Sequence, residues 1–282
     1  MPMVPVNGVK LNVIEKGEGH PIVFLHEFAG NANSWAPQFR RLARKYRCIA
    51  YNSRGYPPSD VPADENLYGQ EIAIADLGGL LDALQLDKAH LVGLSMGAYT
   101  SLVYAMRNPG RVSALVAASG GSGSNVDPAK VQAFATDARA RADRMLANWS
   151  EVVTEMTTGP ARLQLKRKDP KGYDRFVRDM NEASPRGSAF TMRKVQAERP
   201  SLTGMADQLK AMTTPTLLIA GDEDEACIDI NIFLKRNMPC AGLAMMPKAG
   251  HLVNLEDGTA FNTLVENFFE QAEAGEWPRR SV

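Results

Sequence analysis

The chain is poor in the residues that staple or metallate small folds, with three cysteines (Cys48, Cys227 and Cys240) and four histidines (His20, His26, His90 and His251) in 282 residues. The cysteines are odd in number and lack C-x-x-C spacing, which argues against a disulfide framework and for a reducing compartment. The histidines form no H-E-x-x-H and no Cys/His cluster, so no metal is expected. Net charge is absent too: 32 Lys and Arg balance 32 Asp and Glu. That removes the electrostatic reason to expect nucleic acid or a membrane surface as partner. No apolar run approaches the about 20 residues that span a bilayer. The start, Met1-Pro2-Met3-Val4-Pro5-Val6, lacks the basic, apolar and small-residue order of a secretion signal. These absences point to a cytoplasmic protein whose partner is a small molecule.

What is present is an ordinary globular composition, 44% hydrophobic and 23% charged, long enough to bury a large core. Val4 to Val6 and Val9 to Ile14 flank Asn7-Gly8, a two-residue hairpin signal. Short apolar runs then follow at Ile22 to Leu25, Cys48 to Tyr51, His90 to Leu94 and Val112 to Ala118, alternating with helix-like stretches. That alternation predicts a parallel sheet covered on both faces. Over Glu71 to Leu84, the spacing of Ile74, Leu77, Leu81 and Leu84 predicts one of the covering helices.

The alternation stops near Gly120-Gly121-Ser122-Gly123-Ser124 and resumes at Pro215 to Ala220. Between them lies an insertion without a good strand run, divided by Gly159-Pro160, Asp169-Pro170, Ser184-Pro185 and Arg199-Pro200 into about four short helices. The expected organisation is a core in two parts, 1–123 and 214–282, with a helical cap over 124–213. Phe261, Leu264, Val265, Phe268 and Phe269 fall on one face of a final amphipathic helix.

Ser95 lies in Gly93-Leu94-Ser95-Met96-Gly97, after an apolar run and before the helix-like stretch from Ala98 to Met106. This is the G-x-S-x-G strand–turn–helix context that exposes a nucleophilic hydroxyl at the carboxyl edge of a sheet. A serine hydroxyl is a weak nucleophile near neutral pH, so it needs a base and a group to orient that base. His251, in Ala249-Gly250-His251, is the candidate base. Asp224, in Gly221-Asp222-Glu223-Asp224, is the candidate acid, with Asp222 as fallback within an acidic run ending at Glu225.

The order Ser, Asp, His along the chain differs from that of chymotrypsin-like and subtilisin-like proteases. With these motifs the chain resembles an α/β-hydrolase fold serine hydrolase with a helical cap, over nearly its whole length. The resemblance implies an α/β fold with a mostly parallel sheet of roughly eight strands, helices on both faces and no cofactor. It also implies catalysis by Ser95, Asp224 and His251, with the backbone amides of Phe28 and Met96 as an oxyanion hole. Glu27 stands after His26 where the family commonly has Gly, and it is expected to pair with a cation such as Arg54. His26 is read as a structural histidine and Cys227 as a small buried side chain. The insertion's basic residues, Arg162, Lys166, Arg167, Lys168 and Lys171 with Arg139, Arg141 and Arg144, read as a solvated face. Met145, Trp149, Met156, Phe176, Met180, Phe190 and Met192 fit either a pocket or the cap's own core.

The expected reaction is cleavage of a carboxylic ester, lactone or thioester through an acyl-enzyme. Ser95 in place of Asp argues against dehalogenase and epoxide hydrolase chemistry. A carbon–carbon bond hydrolase, a cofactor-free perhydrolase and a ligand receptor with little turnover stand as alternatives; the first would require a cap arginine, which the sequence alone does not assign.

Overall fold

A computed structural model describes residues 2–281. Asn7 (φ 44°) and Gly8 (φ 78°) both take the left-handed conformation that a tight hairpin turn needs. β1 (Met3–Val6) and β2 (Val9–Lys16) therefore pair antiparallel, with Val6 opposite Val9. Six further strands complete the sheet: β3 (Pro21–Leu25), β4 (Arg47–Tyr51), β5 (Ala89–Leu94), β6 (Val112–Ala118), β7 (Thr216–Gly221) and β8 (Ala241–Met246). Their order is β1-β2-β4-β3-β5-β6-β7-β8, with every pair from β4 to β8 parallel. The winding direction reverses between β3 and β5, and at such a switch point the carboxyl ends of parallel strands leave a crevice.

Successive side chains of each strand enter opposite cores, as strand geometry dictates. Ile22, Phe24, Cys48, Ala50, Val92, Leu94 and Val116 pack with Trp35, which caps α1 (Ala36–Leu42), with Phe39 of α1, and with Phe261, Val265, Phe268 and Phe269 of the final helix. Val23, Leu25, Ile49, Leu91, Leu115 and Leu218 meet α2 (Gln70–Ala83) and α3 (Met96–Arg107) on the other face.

Five α-helices follow β6: α4 (Pro128–Ala147), α5 (Trp149–Thr158), α6 (Leu163–Lys168), α7 (Pro170–Asn181) and α8 (Pro185–Thr191). A π-helical turn at Met192–Gln196 continues α8. The proline boundaries fall where expected, but one break lies elsewhere. Asn148 ends α4 and its side chain accepts from the Glu151 amide to start α5. An asparagine cap of this kind stops a helix without proline or glycine. Met145 and Met180 are fully buried among these helices with Val152, Leu165 and Phe176, so they form the insertion's own core. Trp149 and Met156 pack at its edge. Leu202 and Leu209, the latter in α9 (Ala206–Ala211), instead join Ile230 and Leu234 of α10 (Glu225–Asn237) against the sheet. A short helix α11 (Val253–Glu256) and the long α12 (Gly258–Glu273) close the chain.

Candidate active site

The turn from β5 into α3 is tight. Ser95 sits at φ 53°, ψ −107°, its amide bonded to the Ala118 carbonyl at 2.8 Å and its carbonyl accepting from Tyr99 N at 3.0 Å. The flanking glycines are required by space. A Cβ on Gly97 would stand 2.2 Å from the Leu25 carbonyl oxygen, and one on Gly93 would stand 2.4 Å from that of Gly97. The close approach of Gly97 to Leu25 also sets the loop after β3 beside the first turn of α3.

That loop and the first turn of α3 each carry one amide of interest. Among the described residues neither Phe28 N–H nor Met96 N–H has a protein acceptor. Met96 N opens a 12-residue helix, where unpaired amides and the helix dipole favour negative charge. His26 shapes the loop from within. Its Nδ1 donates to the Glu27 carbonyl at 2.6 Å and its Nε2 accepts from Ser53 N at 3.0 Å, and burial pushes its pKa down to about 4.

His251 and Asp224 meet across the carboxyl ends of β7 and β8. His251 Nδ1 lies 2.7 Å from Asp224 Oδ2. Asp224 is 2% exposed, and burial alone would raise its pKa. The charge and hydrogen bond of His251 outweigh that and hold the carboxyl below its ordinary value. Asp222 serves elsewhere, accepting from Ala249 N at 3.1 Å and bracing the loop before His251. Ser95 itself is 8% exposed. Among the described residues no hydrogen bond joins its hydroxyl to the imidazole.

Glu27 does not pair with Arg54. Arg54 makes a buried bidentate bond to Asp76, both contacts 2.9 Å. The partner of Glu27 is Arg162, which reaches from the insertion to within 3.2 Å of Glu27 Oε2 and lies over the Phe176 ring. Arg162 therefore leaves the expected solvated face, while Lys166, Arg167, Lys168 and Lys171 are exposed on it. Burial raises the Glu27 pKa, opposed first by Arg162 and then by His251. The pair is imperfectly satisfied: Glu27 Oε1 and Arg162 Nε and Nη1 are buried without partners. A concavity of about 410 Å³ between the β3 loop, α1 and α7 reaches Glu27 and Phe176.

Two further residues, Glu256 through its side chain and Ala161 through its backbone carbonyl, shape the site without having stood out in the sequence. Glu256, 4% exposed, accepts from Gly250 N at 2.6 Å and from Leu252 N at 2.9 Å, so its two oxygens grip the amides on either side of His251. Ala161, next to Arg162, accepts from His251 N at 3.1 Å, and a Cβ on Gly250 would stand 2.6 Å from the same carbonyl oxygen. The only sequence signal for Glu256 was an acid five residues after His251 in a loop already noted, which is too common to single out.

A hydroxyl held out on a strained turn, a carboxylate-oriented imidazole and two unpaired amides are the parts of an acyl-transfer site. Residues 20–258 match the alpha/beta hydrolase fold family, and the chain belongs to it. Within that family it is 29% identical to the 2-hydroxy-6-oxo-2,4-heptadienoate hydrolase of Pseudomonas putida, covering 94% of this chain and 95% of the other. It also resembles two solved structures. One is Est816, described as an N-acyl homoserine lactone degrading enzyme (28% identity, TM-score 0.78, 95% of this chain and 100% of that one). The other is a thermophilic esterase from Thermogutta terrifontis (24% identity, TM-score 0.83, 96% and 97% covered), a likeness of fold.

Proposed function

We propose that the protein is a serine hydrolase that cleaves a carboxylic ester or lactone of a small molecule through an acyl-enzyme. The observation that carries this reading is the 2.7 Å contact of His251 Nδ1 with Asp224, reached across 27 residues of chain, in a fold that also holds Ser95 on a strained turn. In the mechanism, substrate entry draws the Ser95 hydroxyl into reach of His251 Nε2, a contact that commonly tightens only in the complex. His251 takes the proton as the oxygen attacks the carbonyl. Asp224 fixes the tautomer and stabilises the imidazolium, and the Phe28 and Met96 amides receive the oxyanion. The proton then passes to the leaving alcohol, and a water repeats the sequence to free the acid. The inserted helices act as a cap that shapes the pocket.

A second reading, hydrolysis of a carbon–carbon bond next to a carbonyl, draws support from Arg162. Its Nε and Nη1 are buried without partners beside the site, and a relative bears the name of such a hydrolase. The Glu27 carboxylate already neutralises this arginine, which favours the ester reading.

Labelling with a fluorophosphonate, followed by peptide mapping, tests the common core of both readings. The adduct is expected on Ser95, and its absence there would refute them. A parallel screen of p-nitrophenyl esters, lactones and a 2-hydroxy-6-oxo-dienoate separates the two. Arg162→Gln is expected to raise KM for the anionic dienoate alone if the second reading holds.

A further inference from the structure

The first turn of α10 sets Asp224 and Cys227 three residues apart on one side, and the loop after β8 brings His251 to both. Cys227 Sγ lies 4.0 Å from His251 Nδ1, the same nitrogen that contacts Asp224 Oδ2 at 2.7 Å. One carboxylate oxygen, one sulfur and one imidazole nitrogen all fall within 4.8 Å of one another. The thiol is fully buried, donates to the Ser119 carbonyl at 3.2 Å and has no part in the serine chemistry proposed above.

We propose that Asp224, Cys227 and His251 Nδ1 form a binding site for a soft divalent cation such as Zn²⁺, and that filling it switches the hydrolase off. A tetrahedral Zn²⁺ bound at about 2.0 Å to N and O and about 2.3 Å to S holds its ligand atoms roughly 3.3–3.6 Å apart. The sulfur would therefore close on the imidazole by a few tenths of an ångström and the carboxylate would open by a little more. The Asp224 oxygen and the Cys227 sulfur, no more than 4.8 Å apart, would close by up to about 1.3 Å. A sulfur ligand with one nitrogen and one oxygen selects Zn²⁺ or Cd²⁺ over Mg²⁺ and Ca²⁺.

The chemistry balances without any change of oxidation state. The thiol gives its proton to solvent as the metal–sulfur bond forms, and Asp224 exchanges its hydrogen bond for a metal–oxygen bond. The neutral imidazole keeps one proton, which leaves Nδ1 and is taken up at Nε2. The tautomer so fixed has an N–H where the mechanism needs a lone pair, so it cannot deprotonate Ser95. Of the three residues only His251 reaches solvent appreciably, its side chain 12% exposed, so the cation enters past the imidazole. Onset is expected to be slow, and occupation of the crevice by a substrate analogue should delay it.

The site is tested with Cd²⁺ on the intact protein. A thiolate-to-Cd²⁺ absorption band in the ultraviolet should rise to one equivalent while ester hydrolysis falls in parallel, and EDTA should reverse both. Each unit rise in pH should tighten binding about tenfold, because one proton is released. Cys227→Ala and Cys227→Ser should keep the basal hydrolysis, lose the band and require about tenfold more Cd²⁺ or beyond for half-inhibition. A Cys48→Ala/Cys240→Ala protein should behave as wild type. An absent band, a band that survives Cys227→Ala, or inhibition unchanged in both Cys227 variants would overturn the site. The inhibition rests on the serine reading and the band does not. Binding without any turnover in the absence of metal would therefore sink that reading and leave the site standing.

Discussion

Replacing Glu256 by Gln asks whether the candidate base is held by its flanking amides. The wild-type carboxylate presents two acceptors, one to Gly250 N at 2.6 Å and one to Leu252 N at 2.9 Å. Gln keeps the shape but offers one oxygen, and its NH₂ then faces the other amide donor. A hydrogen bond to a charged group contributes about 1.5–3 kcal/mol, so losing one is expected to cost up to about 2 kcal/mol in urea unfolding, offset at neutral pH by the burial cost that the wild-type charge carries and Gln does not. The loop shift should be larger in its effect on rate, since a misplacement of about 1 Å can cost about 10²-fold. Glu256 does not touch the crevice, so the loss should appear in kcat with KM nearly unchanged. Glu256→Asp, with both oxygens set back by one methylene, should fall in between.

The pH profile sharpens the test. Burial raises the Glu256 pKa, against the pull of the two amides. A raised carboxylate pKa means that the protonated form stabilises the fold below the unfolded-state pKa, and that this stability is lost as pH rises through the folded value. The ionised clamp thus costs stability at neutral pH while holding the base in place. Glu256→Gln, which does not titrate, should therefore fall furthest behind wild type in stability at acid pH and least at neutral pH, and should remove an acid-side group from the wild-type kcat profile. An unchanged kcat at neutral pH, or a stability difference that does not widen in acid, would refute the clamp.

Ser95→Ala is expected to abolish ester turnover without loss of fold, as read by hydrolysis and thermal melting. Ser95→Gly should also be inactive yet more stable, by about 1–3 kcal/mol, because only glycine relaxes at φ 53°. Gly97→Ala should fail to accumulate as soluble protein, since its Cβ has only 2.2 Å to the Leu25 carbonyl oxygen. His26, neutral in the fold with a pKa of about 4 against an ordinary 6.5, lets the unfolded chain take up a proton first as pH falls. Stability is therefore expected to drop by about 2 kcal/mol between pH 7 and pH 5, and urea midpoints of a His26→Gln variant should show a flatter slope.

Much of this could be read from the chain because it depends on local pattern. The Asn7-Gly8 turn, the spacing of Leu77 and Leu81 and the glycines around Ser95 each fix geometry within a few residues. The meeting of Asp224 with His251 also followed, since loops at the carboxyl ends of β7 and β8 converge in a parallel sheet. What could not be read were choices among equivalent partners. Glu27 had several cations within reach of the fold, and only tertiary packing selected Arg162 over Arg54, which Asp76 had already engaged. The boundary at Asn148 escaped for a related reason: an asparagine cap breaks a helix without interrupting its apolar spacing.

The Ala161 carbonyl holds the His251 amide, and Gly250 leaves no room beside it for a side chain. Segment exchange between relatives, a common route to altered selectivity, would then be less modular here than the chain's layout implies. A transplanted insertion lacking an acceptor at that point would loosen the His251 loop along with the insertion's own packing. Retaining residues 159–162 in such a chimera would separate the two effects.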